Sequence, residues 1–226
     1  MCPPSDLAQA KCNTSSSQLS IETIVPQTEV SRSAYKHASD LLHPSILSHS
    51  VRVFLYARKL AEHTSSTYFS ESPKLDLLFT ACLFHDIGTA RLYDGPQRFE
   101  VEGGDAAVNH LSNYDFSEAD KHNVWTAIAI HTSPGIAERI GELSRLVRIA
   151  VLTDFGRKTP SWDTLVPLKE QLEKDFTRSN IEKVLGDAVV GQAKQRPEKA
   201  PKVSWPGVMY HAWLAEPEWN GINKAF

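Results

Sequence analysis

The sequence predicts an all-α protein with one domain, and three observations support this. Beyond about residue 30, apolar side chains recur at steps of three and four, the period of a helix that buries one face. No segment alternates apolar and polar residues as a half-buried strand does, and no internal repeat occurs. The chain has 226 residues, enough for one full hydrophobic core and short for two.

Taken in order, residues 1–30 read as a flexible polar leader, rich in Ser and Pro and poor in large aliphatics. Residues 31–226 are expected to form the single domain. Within it, residues 45–63 place Ile46, His49, Val53, Ala57, Leu60 and Ala61 on one stripe. Residues 74–86 repeat the pattern with Leu75, Leu78, Phe79, Cys82 and Leu83, and Gly88 offers a stop just beyond. Residues 105–111 are a shorter candidate. Residues 118–131 align Val124, Ala127, Ile128 and His131 before the Pro134-Gly135 break. Residues 136–154 continue with Ile140, Leu143, Leu146, Val147 and Ala150, and residues 179–194 with Ile181, Val184, Leu185, Ala188 and Val189. Residues 196–205 hold two prolines, Pro197 and Pro201, with Pro206 just beyond, and read as an extended connection. The C-terminal extension carries Trp205, Trp213 and Trp219, which suits packing on the core or a subunit interface in a homo-oligomer.

Composition excludes several classes of function. The formal charge of −3, with both signs interspersed, offers no electrostatic footprint for nucleic acid or an anionic membrane, so a small-molecule substrate is the expected partner. No run approaches the roughly 20 apolar residues of a membrane span, and residues 1–20 lack the basic-then-apolar pattern of a secretory signal. Cys2, Cys12 and Cys82 are odd in number and form no CxxC pair, which points to a reducing, cytoplasmic setting and away from a disulfide framework or cysteine-bound zinc. Cys82 sits on an apolar stripe and reads as a small buried hydrophobe.

The informative feature is which polar residues fall on the buried faces. His49 lies three residues after Ile46 and four before Val53; Asp154 lies four after Ala150 and seven after Val147. His131 lies three after Ile128 and seven after Val124, and His85-Asp86 ends a helix whose inner face is otherwise Leu and Phe. A carboxylate buried without a partner is costly, so an inward Asp must be paired, hydrogen-bonded or bound to metal. Inward-facing His and Asp residues from separate helices satisfy one another around a divalent cation, and their mix of donors suits zinc, manganese or iron better than calcium or magnesium.

The order His49, then His85-Asp86 within LFHDIGTA, then a distant Asp154 resembles the HD superfamily of metal-dependent enzymes. The segments LFHDIGTA, QRFEVEGGDAA, WTAIAIHTSPGIAERIG and RLVRIAVLTDFG, with the ending SWPGVMYHAWLAEPEWNGINKAF, are similar to its cyanamide hydratase-like family, especially the fungal members. The resemblance runs from about Ser31 to the C-terminus. It implies a helical bundle around a buried metal site and an enzyme that adds water to the nitrile of cyanamide to give urea. The expected metal is one zinc per chain, with iron or manganese compatible with the same donors. It carries His49, His85 and Asp154 over as metal ligands, and Asp86 as either a further ligand or a proton carrier. His131, opening HTSPGIA, is implied to face the substrate, and His110, in the looser match AAVNHLSN, to act beside it.

Other readings use other residues. A phosphohydrolase acting on a nucleotide or other small phosphate ester would draw cations from Arg52, Arg91 and Arg98, though no glycine-rich phosphate loop accompanies them. A two-iron oxygenase would bridge its metals through Asp86 and bind the second with His110 and His131. A non-catalytic module that kept the fold would be expected to lose ligand residues, and this chain retains the set. Phe99, Trp125 and Phe155 flank the site in sequence and suit either an apolar pocket wall or core packing. Thr132 and Thr153 suit orienting roles or bonds to their own helix backbone. Gly103-Gly104 reads as a close helix contact or a turn.

Overall fold

A computed structural model of the chain describes residues 19–226; the first part of the leader, with Cys2 and Cys12, lies outside them. Every regular element among the described residues is helical. None of these helices is long and apolar enough to cross a membrane.

The fold begins upstream of the boundary the sequence suggested. Helix α1 (Ile21–Ile24) and helix α2 (Glu29–Leu41) place Ile24, Val25 and Val30 in the hydrophobic core. Thr28 caps α2 by accepting from the Ser31 amide, and its hydroxyl donates to Asp76 at 2.6 Å. Ser31 Oγ donates to the same Asp76 oxygen at 2.6 Å, so a buried carboxylate is satisfied across two elements. The leader reading therefore fails for residues 21–30, whose few apolar side chains are too sparse to show a period.

Helix α3 (Pro44–His63) opens with Pro at its first position and His43 accepting from the Ser45 amide, a preorganised start. It buries Ile46, His49, Val53, Ala57 and Leu60, the stripe predicted from the sequence. After the short helix α4 (Thr67–Ser70) comes helix α5 (Ser72–Phe84), in which every residue from Asp76 to Phe84 is buried. A helix apolar on all sides belongs at the centre of a bundle, and α5 packs against α2, α3 and α4. Its Leu77, Leu78, Phe79 and Leu83 are at most 1% exposed, each stabilising the fold by about 1.5–3 kcal/mol.

Helix α6 (Phe99–Leu111) and helix α7 (Glu118–Ala129) lie against each other and against α5. The sequence predicted only the second half of α6, because Gly103 and Gly104 weaken its intrinsic helix propensity. Tertiary packing overrides that: a Cβ on Gly103 would come within 2.9 Å of the Phe84 carbonyl oxygen, and one on Gly104 within 2.9 Å of the Trp125 ring. This is the close helix contact read from the glycine pair.

Helix α8 (Glu142–Asp154) starts six residues later than the apolar pattern suggested, because turns fill the chain between Pro134-Gly135 and Gly141. The short helices α9 (Trp162–Leu165) and α10 (Lys169–Asp175) follow, and the sequence reading missed both. Helix α11 (Ile181–Gln195) then packs on α3 and on helix α12 (Trp205–Ala215). The proline-rich connection between α11 and α12 is pinned by Lys199. This buried side chain donates to Asp94 Oδ1 at 2.8 Å and to the Gly95 carbonyl at 2.7 Å.

Candidate metal centre

Several helices end at one place. His85 is the first residue past α5, with Asp86 next; His131 lies two residues past α7; and Asp154 is the last residue of α8. Helix C-termini carry partial negative charge and unpaired carbonyls, so a convergence of them favours a cation. His49 faces the same point from the middle of α3.

The imidazoles are oriented by what their other ring nitrogen holds. His85 Nδ1 donates to the Cys82 carbonyl at 2.7 Å, and His131 Nδ1 to the Ile128 carbonyl at 2.7 Å. In both cases a histidine ring bonds the carbonyl three residues earlier, in the last helical turn. His49 Nδ1 donates to Asp154 Oδ2 at 2.7 Å. All three partners are pure acceptors, so each Nδ1 carries the proton and each Nε2 presents a lone pair. This tautomer suits metal ligation.

Those lone pairs converge. His49 Nε2 and His85 Nε2 lie 3.1 Å apart, and Asp86 Oδ2 is 3.2 Å from the second and 3.6 Å from the first. Ligand atoms about 2.0–2.1 Å from a tetrahedral ion stand roughly 3.3–3.4 Å from one another. Both Asp86 oxygens are buried with no hydrogen-bond partner, an uncompensated carboxylate that calls for a positive charge. His49, His85 and Asp86 thus fit a divalent metal by donor type, spacing and unmet charge. Asp86 Oδ1 turns the other way, 3.6 Å from His131 Nε2.

Electrostatics agree. Burial pulls the His49 pKa down against the opposing pull of Asp154, and burial together with the neighbouring His85 lowers that of His131 to about 3. Burial also pulls on His85, but the Asp86 carboxylate outweighs it and raises the net value. For Asp86, burial is outweighed by His85 and His49, which hold the carboxyl below the usual range. It therefore stands ionised at neutral pH.

Asp154 is placed differently from the expectation that it ligates the metal. Arg52 Nε donates to its Oδ1 at 2.6 Å and Arg52 Nη2 to its Oδ2 at 2.8 Å, in addition to the bond from His49 Nδ1. Both side chains are fully buried. Asp154 thus sits on the Nδ1 side of His49, while His131 is the group brought beside Asp86. Sequence reasoning missed this use of Arg52, because nothing local announces a partner so far along the chain. His110 lies apart from these groups: its Nε2 pairs with the Val30 carbonyl at 3.0 Å and its ring packs on Phe84 and Tyr114, outside the cavity over the centre.

That cavity has a volume of about 920 Å³ and has His49, His85, Asp86 and His131 in its lining. Phe99 and Phe155 help form its wall, whereas Trp125 bonds Asp105 and packs elsewhere. Thr132 also lines it and donates to the buried Glu100 at 2.8 Å, whereas Thr153 bonds the carbonyl of Ile149 in its own helix. Cys82 is buried and burial pushes its thiol pKa up, as suits a packed hydrophobe.

The family model of the HD domain matches residues 46–154, the stretch that contains all of these groups. Residues 46–154 are thus similar to the HD domain, a class generally made of metal-dependent enzymes, and they contain His49, His85 and Asp86, which could hold a metal ion. No curated protein matches the chain significantly.

Proposed function

We propose that the chain is a zinc-dependent hydratase that adds water to the nitrile carbon of cyanamide or a close analogue, giving the corresponding urea. The observation that carries the reading is the set of lone-pair imidazoles aimed at an unpartnered Asp86, within a cavity whose half-buried cations, Arg98 and Arg148, are tied to carboxylates, while its Arg157 and Lys202 are exposed. Arg52, a candidate phosphate ligand, is consumed by Asp154, and Arg91 does not line the cavity. Arg98 does, but its guanidinium is held by Glu100 at 3.0 and 2.6 Å; Arg148 is likewise tied to Glu138. An uncharged electrophile suits such a site better than a phosphate ester. The two-iron reading lacks support because His110 points elsewhere.

His49, His85 and Asp86 would hold the ion, and zinc there would supply an acidified water, with a pKa of about 7, as the nucleophile. The residues then handle the protons. Asp86 Oδ1 accepts the proton the water loses, and His131 Nε2, 3.6 Å away and neutral, relays it to the nitrile nitrogen. A C–O bond forms as the C≡N bond loses one π component, and the resulting isourea tautomerises to urea. Sequence similarity to the cyanamide hydratase-like family supports the choice of nitrile.

The test is urea release from cyanamide by zinc-loaded protein, with EDTA-treated protein and a panel of nucleoside monophosphates as comparisons. Metal-dependent urea formation supports the reading. Phosphate release from a nucleotide without urea formation overturns it in favour of phosphohydrolysis.

A further inference from the structure

Cyanamide is a bare N–C–N unit, yet the cavity above the centre, about 920 Å³, falls within the roughly 300–1,000 Å³ that holds drug-sized ligands. Its wall is aromatic and continuous. Phe155 packs on His49 at 4.6 Å between ring centroids, Phe226 on Phe155 at 5.0 Å, and Trp205 on Phe226 at 5.7 Å. Phe99 then joins Trp205 at 6.0 Å to His131 at 5.7 Å. An arc of rings thus leaves one side of the metal centre and returns to the other. Towards solvent the lining stays apolar: Ile136, Val203 and Val208 are all exposed. Large aliphatic side chains kept in water at the mouth of a cavity mark a binding surface for apolar matter.

We propose that the preferred substrate is an N-substituted cyanamide whose substituent is an apolar group of about one ring, aryl or branched alkyl, seated in the arc of Phe99, Phe155, Trp205 and Phe226. The inference rests on the hydratase reading for its reactive end and adds the chemistry of the other end. The reaction balances without a co-reactant: R–NH–C≡N and water give R–NH–CO–NH2, with both hydrogens of water retained in the product. The half-buried cations do not argue for a charged substituent: Arg98 and Arg148 are paired with carboxylates, Arg157 donates to the Phe226 carbonyl at 3.0 Å, and Lys202 is an exposed lining residue next to Val203.

Metal-chelating hydroxamates separate the two ends of the site. Acetohydroxamate and benzohydroxamate offer the same chelating group with a methyl or a phenyl tail, and calorimetry on zinc-loaded protein compares them. Benzohydroxamate is expected to bind about thirty-fold more tightly, the gain for burying a ring's extra apolar surface. Val208→Trp, which fills the mouth, and Phe226→Ala, which removes part of the arc, should each abolish most of that ratio, lowering benzohydroxamate affinity far more than acetohydroxamate affinity. Phenylcyanamide should likewise exceed cyanamide in kcat/KM. Equal affinities for the two hydroxamates, or cyanamide as the better substrate, overturn the inference and leave the metal centre standing. Failure of both hydroxamates to bind in a zinc-dependent way overturns the metal reading, and the inference falls with it.

Discussion

Asp154 Oδ2 accepts the Nδ1 proton of His49 at 2.7 Å while Arg52 grips both oxygens of the same carboxylate. One buried acid therefore fixes the tautomer and direction of an imidazole that faces the metal centre. Burial alone would raise the pKa of Asp154, but the bonds from Arg52 and His49 hold it well below the usual carboxylate range. An ionised carboxylate engaged in this way suits an orienting support.

Asp154→Asn should therefore weaken zinc affinity by about 10–100-fold rather than abolish it. Because Arg52 would be left as a buried, poorly compensated charge, stability should also fall by about 3–5 kcal/mol. Chelator competition reads the first effect and urea denaturation the second. A complete loss of metal in a folded variant would instead make Asp154 a ligand.

His85→Ala removes an Nε2 donor from the centre of the cluster. Metal content should drop to background and turnover with it, as measured by elemental analysis and urea release on the same preparation. Urea formation by a metal-free variant would contradict the assignment.

The two other histidines drawn from the sequence should behave oppositely. His131→Ala is expected to retain the metal and lose about 10²–10⁴-fold in kcat, the range for removing a proton-transfer group. His110→Ala, whose ring bonds the Val30 carbonyl, should leave kcat unchanged and only lower the melting temperature. Equal kinetic losses in both would overturn the separation of their roles.

Asp94 provides a pH-dependent clamp away from the centre. Burial raises its pKa, but Lys199 and Arg196 outweigh this and hold it below the ordinary value. A carboxyl depressed in the folded state contributes stability that is present above the unfolded value, about 3.9, and is lost as the pH falls through the folded value. Asp94→Asn should cost about 1–3 kcal/mol at pH 7. The gap from wild type should close as the pH falls below about 4. A gap independent of pH would rule out the charge as its source.

Much of the bundle was legible because burial imposes a period: α3, α5, α7, α8 and α11 each showed their inner stripe. The parts that escaped are those set by tertiary contact. Ile24, Val25 and Val30 are too few to reveal that they join the core. The first half of α6 hid behind two glycines whose value lies in what they allow to approach. At the centre, His49, His85 and Asp86 were readable because polar groups on apolar faces need partners. That His131 stands with them had a local signal, since His85 and His131 each follow a helix end and bond the carbonyl three residues back. The Asp154–Arg52 pair had none, because it depends on how α8 crosses α3. The roles of Trp205 and Phe226 likewise depend on where the tail docks.

Since His49, His85 and Asp86 are supplied by α3 and by the end of α5, with His131 arriving past α7, the donors come together only in the folded chain. An unfolded chain offers no such set, so a divalent metal held there would act by mass action as a ligand of the native state. Each tenfold excess of free metal over its Kd should add about 1.4 kcal/mol to the unfolding free energy. The melting temperature would then read out metal occupancy, and chelation should lower it even where no substrate is being turned over.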